Sequence, residues 1–456
     1  MSVALPLAEQ PVERPSARIL PRLSWLGLVA LGALPLLIAV FPQDAAGWVL
    51  LYLTYALLMA FPEFRRDGET ALAGVLVLTA HHLVAIYNAY VGTVIGADLD
   101  AASFHRQGVE MTQGISVDSL LGPGTWIYVH FLALFYSLFG PSHLLGEELS
   151  VLAFALSCVV LVKLCGLTGL SRFRAGLLLL FGLSLSGLIF LSVTLRESWQ
   201  VLFVFLSAYW ALRVRSRMSG TNLAFLLLSA FGLGLLHEGL APYAIFLIIF
   251  SLYWAVGAGR VADILWKRAL LLTVAAALLV TLAASVKQLG GASAALASGK
   301  ALEYAQNYRL HSVQDARAAY GVALDASTPL RFAATLPPVL VQYMFAPFPW
   351  QIGSLLDIEA MLEGWVRLAL LVTSWRAWRL SVGEARSRIG FLFGLFLTME
   401  FLWALGTINW GTAVRHHLLA YGLLALTGGP GLLLFLDRAR RALLPPTVSD
   451  EARAKP

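Results

Sequence analysis

Charge is scarce in this 456-residue chain: Asp, Glu, Lys and Arg make up 13% of it, against about 25% in a soluble domain. That deficit excludes a globular enzyme carrying a single anchor. A 59% hydrophobic content and a mean hydropathy of +0.77 point instead to a polytopic membrane protein. Cysteine is nearly absent as well. Cys158 and Cys165 share one apolar run and one helix face, and offer neither a disulfide framework nor metal-ligand spacing. Internal repeats and low-complexity segments are missing. Pro and Glu crowd Met1 to Arg22 before the first apolar run, so no cleaved leader is expected there. The formal charge of +6 is no sign of nucleic acid, because Lys and Arg in a membrane protein mark cytoplasmic loops.

What is present is a series of apolar runs, near 23–41, 46–62, 70–91, 149–167, 176–194, 198–212, 222–236, 241–257, 268–286, 358–375, 389–406 and 415–436. At roughly 20 residues per crossing they predict an all-α bundle of about 12 spans. Basic clusters follow the even-numbered runs: Arg65 and Arg66; Arg172 and Arg174; Arg213, Arg215 and Arg217; Arg260, Lys267 and Arg268; Arg376, Arg379, Arg386 and Arg388; Arg438, Arg440 and Arg441. Cytoplasmic N- and C-termini satisfy all of them. The expected organisation is a cytoplasmic tail over 1–22, one transmembrane domain over 23–436, and a second cytoplasmic tail over 437–456. Outer loops are expected at 92–148 and 287–357. A span over 125–140 would invert every later connector, so that stretch is predicted as an interfacial or re-entrant helix on the outer face. The same holds for 337–350, where Pro337, Pro338, Pro347 and Pro349 argue against an ordinary spanning helix. Residues 2–15 and 445–456 are expected to be disordered.

With this orientation, the remaining charges gather at the outer helix ends. Asp98 and Asp100 follow the third run, with His105, Arg106 and Glu110 close behind. Arg196 and Glu197 separate the fifth run from the sixth, and His237 and Glu238 separate the seventh from the eighth. Arg415, His416 and His417 open the last run. Ionisable groups at a membrane boundary are costly and usually functional. The plainer alternatives are Asp98 capping a short helix from Leu99, Arg196 and Glu197 pairing across a hairpin, and a tight turn at Gly239 and Pro242. His81, His82 and Asn88 fall within a run and suit a buried contact between helices.

The order of these features resembles the GT-C superfamily of polytopic glycosyltransferases. The segment Asp100-Ala101-Ala102-Ser103-Phe104-His105 is similar to that family's D-A-x-x-[YF]-H pattern in the first large outer loop. Trp126 through Leu138-Phe139-Gly140 is similar to its interfacial helix ending in L-F-G. Glu197 and Arg415 resemble its later outer acid and the Arg that opens a late helix. The likeness covers roughly 70–260, and more loosely 389–436. Here two runs precede the helix before the acidic loop, where the family usually has one, and there is no large soluble C-terminal domain.

The resemblance implies a multi-pass enzyme of the bacterial inner membrane. It would move a sugar from a polyprenyl-(di)phosphate donor to a glycan or lipid acceptor on the extracytoplasmic face, in cell-surface glycan assembly. Asp100, with Asp98 second to it, would be the base that takes the acceptor proton. Arg196 and Arg415, with His105 and His416, would bind phosphate. Glu197, His237 and Glu238 would support them. A divalent metal between Asp98 and Asp100 would need further oxygen ligands. A repeat-unit polymerase or ligase would use the same chemistry. A lipid-linked glycan flippase would instead show paired repeats and broken helices near the midplane.

Overall fold

The computed structural model describes residues 32–115, 123–255, 298–300, 303, 304, 306, 307 and 318–443. These residues are all-helical, with no strand among them; the nearest approach is an isolated bridge between Ala319 and Asn409. The principal helices are α1 (Gly32–Val40), α2 (Ala45–Ala60), α3 (Gly68–Tyr90), α4 (Asp98–Thr112), α5 (Pro123–Phe139) and α6 (His143–Leu167). Next come α7 (Arg174–Gly182), α8 (Leu185–Phe190), α9 (Glu197–Ser216), α10 (Gly220–Leu236) and α11 (Ala241–Ala255). The C-terminal part holds α12 (Pro329–Phe345), α13 (Leu355–Leu380), α14 (Gly383–Gly406) and α15 (Trp410–Leu443).

Short polar side chains set where several helices begin. Asp67 accepts from the Glu69 and Thr70 amides at the start of α3, and Ser142 accepts from Leu145 N at 3.0 Å at the start of α6. Ser219, Thr328 and Ser354 do the same for α10, α12 and α13. Helix α6 is buried along nearly its whole length, as a helix apolar on all sides should be. It carries Glu147 and Glu148 into the bundle, where each finds a partner. Asn88 donates to Glu147 at 2.7 Å, and His82 Nδ1 lies 3.0 Å from Glu148 Oε1. His81 Nε2 donates to the Gly182 carbonyl at 2.9 Å, and Ser192 donates to its Nδ1 at 2.7 Å. His81 and His82 therefore join helices.

Twelve crossings are not supported among the described residues. Among the described residues, α3, α6, α14 and α15 (over Trp410–Arg440) are long and apolar enough to span a membrane. A fifth arises if α1 and the bent segment Pro42–Ala60, at 119° to it, count as one. The run 176–194 is interrupted at Leu183 and Ser184, so α7 and α8 are separate short helices and the chain after Phe190 is irregular. Helices α10 and α11 are short and apolar. The run 268–286 and both terminal segments, 1–31 and 444–456, lie outside the described residues. Helix α15 continues to Leu443, past the boundary expected at 436. Helix α6 starts at His143, so the loop expected over 92–148 ends earlier and holds α4 and α5.

Pro337 and Pro338 lie inside α12, which is not among the helices long and apolar enough to span a membrane. The chain enters the bundle along this helix, which ends inside, and the segment after it returns. Before it, Tyr320 N donates to Ile408 O at 2.8 Å; after it, Asp357 accepts from Trp410 Nε1 at 2.8 Å, so both flanks sit at one end. Its last-turn carbonyls lie deeper: Tyr343 O accepts from His417 Nε2 at 3.0 Å, and Met344 O from Arg367 Nη1 at 2.5 Å. Arg367 is about 15 Å along α13 from Asp357 at ~1.5 Å per residue. The unpaired carbonyls of a helix C-terminus attract cations, which explains this pin.

Helix α15 packs against α13, α14, α9 and α7 through small residues. A Cβ on Gly428 would stand 2.3 Å from the Leu370 carbonyl oxygen, and one on Gly422 would stand 2.0 Å from Phe205 Cζ. The arginine-bearing helix ends meet on the far side, where Arg388 Nη1 donates to Leu167 O and Arg215 feels Glu384 and Arg388.

Gly428→Val should force α13 and α15 apart and lower stability by about 1–3 kcal/mol. Gly220→Ala, where a Cβ meets nothing, should not. Thermal unfolding of the detergent-solubilised protein compares the two.

Candidate functional site

The chain between α8 and α9 carries a turn held by Ser198 Oγ, which donates to Leu191 O at 3.0 Å. It delivers Arg196 to the N-cap of α9 and Glu197 to its first turn, where the helix dipole favours a carboxylate. Arg415 comes from the second turn of α15. Its Nε donates to Glu197 Oε1 at 3.0 Å, its Nη2 also bonds Glu197, and its Nη1 bonds Asp100 Oδ2 on α4. One guanidinium thus joins three helices far apart in sequence. Side-chain exposure rises from 9% at Glu197 through 20% at Arg415 to 55% at Asp100, so the pair is buried at one end and open at the other. The second oxygen of Glu197 is buried with no hydrogen-bond partner among the described residues.

Arg196 lies beside this group. Its Nη1 donates to Thr125 Oγ1 at 3.2 Å and to the Leu236 carbonyl, the last of α10, at 3.4 Å. The next residue, His237, accepts from Gly239 N at 3.0 Å and meets Trp403 edge-on with ring centroids 5.0 Å apart. His416 stacks on the same tryptophan at 3.7 Å, with its Nδ1 2.7 Å from Thr407 Oγ1. Burial, then the Arg196 and Arg415 charges, pushes His237 down to about 3, so its imidazole is neutral at pH 7. His105 on α4 turns elsewhere: it stacks on His143 at 3.6 Å and lies 2.8 Å from the Tyr136 hydroxyl. Burial, then His143, lowers it to about 4.

A cavity of about 250 Å³ adjoins Arg415, with Phe190, Asp357, Glu359, Asn409 and Trp410 on its walls. Gly96, at φ +96°, turns the backbone along its edge just before α4. Asp357 is held by Trp410 Nε1 and by Gly353 N at 3.0 Å. Glu359 has one oxygen, Oε1, buried without a partner among the described residues. The cavity is therefore lined by a guanidinium, two acidic side chains, an indole and an amide.

Of the residues singled out in the sequence, Asp100, Glu197 and Arg415 are in direct contact, and Arg196, His237 and His416 surround them. Glu197 pairs with Arg415, not with the neighbouring Arg196. His105 and His416 face Tyr136 and Trp403, and neither lines the cavity. Helix α4 opens at Asp98 itself, with Ala97 at the cap position and no side-chain cap, in place of a helix from Leu99 capped by Asp98. The side chains of Asp98 and Glu238 lie outside the described residues. Among the described residues, no group of three or more His, Cys, Asp or Glu could hold a metal. Asp357, Glu359, Asn409 and Trp410 were not singled out. The available signal was two acids opening an apolar run on the side assigned to Asp100.

No protein-family model matches the chain, and comparisons with curated proteins and with solved structures give no match either.

Two histidines kept neutral by the folded state make stability pH-dependent. Their pKa values lie below the ordinary 6.5, so the unfolded chain takes up protons first as pH falls. Stability should be fully present above about pH 6.5 and fall towards pH 4, on the order of 1–2 °C in Tm per pH unit. His237→Gln should flatten the slope. An unchanged slope would show that the His237 ring gains its proton in the folded state.

Proposed function

We propose that this chain is an integral-membrane glycosyltransferase. It transfers a sugar or glycan from a polyprenyl-(di)phosphate donor to a glycan or lipid acceptor, in cell-surface glycan assembly. One observation carries the reading: Arg415 is held between Asp100 and Glu197 on the wall of a cavity, with Arg196 beside it. A guanidinium is suited to phosphate, and here its exposed side is taken up by an acid. Donor phosphate competes with Asp100 for Arg415. When it wins, Asp100 gives up its contact with Arg415 and its carboxylate is free to accept a hydrogen bond from the acceptor hydroxyl. It then takes the acceptor hydroxyl proton while the acceptor oxygen bonds the sugar carbon. The bond to phosphate breaks, its electron pair stays on the leaving oxygen, and Arg196 and Arg415 stabilise that charge.

In this reading the Arg415 end faces outward, and the end bearing Arg215 and Arg388 faces the cytoplasm of a bacterial cell, with both termini inside. The meeting of Arg388 with the end of α6, opposite the Arg415 cluster, supports that orientation. A repeat-unit polymerase or ligase would use the same cluster and differ in product length. A second reading, movement of a lipid-linked glycan across the bilayer, is favoured by the break between α7 and α8, a feature of transporter binding sites.

The test is reconstitution in proteoliposomes with labelled polyprenyl-linked sugars and candidate acceptors. Transfer releases lipid phosphate and moves the label to the acceptor, whereas transport changes only the donor's sidedness. Asp100→Asn should lower turnover by about 10²-fold or more without weakening donor binding, since it removes Arg415's competitor. Arg415→Lys should weaken that binding. Full turnover in Asp100→Asn would refute the base assignment. A chelator arm, with Mg²⁺ added back, tests a divalent cation at Asp98 and Asp100.

A further inference from the structure

A second cavity, of about 290 Å³, lies apart from the Arg415 cluster, where the break between α7 and α8 faces α13 and α15. Its rim is apolar and open: Leu183, Leu185, Leu362 and Val366 are 38–52% exposed. Leu362 and Val366 belong to the same exposed apolar side of α13 as Ile358, Trp365 and Val372, the face such a helix turns to lipid. The floor is polar. Arg367, 4% exposed, lines it together with Glu363 and Tyr421. Arg367 sends Nη1 to Met344 O, while its Nε is buried with no partner among the described residues. Glu363 is already engaged by Ser186, whose N and Oγ donate to it at 2.9 and 2.5 Å.

The unmet capacity on this floor is a donor, so its ligand brings an acceptor oxygen. The local charge argues against phosphate. Glu363 lies one helical turn from Arg367, and Glu359, a turn further, also interacts with both. A phosphate would have to share this one guanidinium with the Glu359–Glu363 pair. Arg367 also lies about 18 Å along α13 from its first residue at ~1.5 Å per residue, and is 4% exposed behind the apolar rim. A charged headgroup does not reside behind such a rim without cost. A neutral hydroxyl on an apolar chain does so readily.

We propose that this lateral cavity is a binding site for a neutral lipid alcohol, with its hydroxyl oxygen accepting from Arg367 and its chain leaving between Leu183, Leu362 and Val366. The site stands independently of the transfer reading. Leu185 and Ser186 open α8, so an occupied cavity presses on the same break that leads through Phe190 to Arg196 and Glu197.

The test uses purified protein in phosphatidylcholine nanodiscs with two photoactivatable probes, a diazirine-bearing hexadecanol and the diazirine hexadecane of equal length. Peptide mapping after illumination should place alcohol label on 179–185 and 362–367 about tenfold above hydrocarbon label, the worth of one hydrogen bond to a charged donor. Unlabelled hexadecanol should compete, and hexadecyl phosphate should not. Arg367→Met should remove the difference between the probes. Because Arg367 also pins α12, Val366→Trp, which fills the rim and leaves the pin intact, should remove it as well. Equal labelling by both probes, stronger competition by the phosphate, or labelling that survives both substitutions would overturn the proposal.

Discussion

A guanidinium between two carboxylates holds together helices that the chain order keeps far apart. Asp100, Glu197 and Arg415 come from α4, α9 and α15, and each brings a charged group to one cluster that is buried at Glu197 and open at Asp100. Within hydrocarbon, an unpaired charge costs several kcal/mol, so it is paired by the protein or kept at the surface. That constraint organises the rest of the bundle. Glu147 and Glu148 are met by Asn88 and His82, Arg367 by a helix carbonyl, and His417 by Glu400 at 2.5 Å. Each contact fixes a distance between helices that apolar packing alone leaves free to slide.

Two departures from regular spanning geometry follow the same rule. A helix that ends inside the bundle leaves carbonyls unpaired, and α12 ends where Arg367 and His417 reach them. A helix that begins inside leaves amides unpaired, and α8 begins where Glu363 accepts from Ser186. Arg367 and Glu363 lie a turn apart on α13, which therefore serves as the polar spine for both interruptions. Residues of α13 line both cavities, one beside Arg415 and the other with an exposed apolar rim.

Much of the candidate site was legible in order of residues. Asp100, Glu197 and Arg415 each stood out as charges at helix ends, but their pairing with one another was not legible and comes from the structure. The second wall of the cavity was not legible. Asp357 and Glu359 open an apolar run and resemble ordinary helix-start acids, and only contact with Trp410 and Asn409 marks them. His105 and His416 entered as phosphate ligands only through the family resemblance, and in the structure their rings stack on His143 and Trp403.

The sequence by itself pointed to an all-helical membrane protein, because long apolar runs with few charges satisfy their backbone groups in hydrocarbon as helices. It also determined several helix starts, through side chains such as Asp67, Ser142 and Ser354 that bond local amides. Only the tertiary structure decided which apolar runs are continuous. Hydropathy sums composition along a window and is blind to whether an interruption has a partner. The break at Leu183 and the buried end of α12 exist because Glu363, Arg367 and His417 wait there, and those residues lie far along the chain from the backbone groups they satisfy.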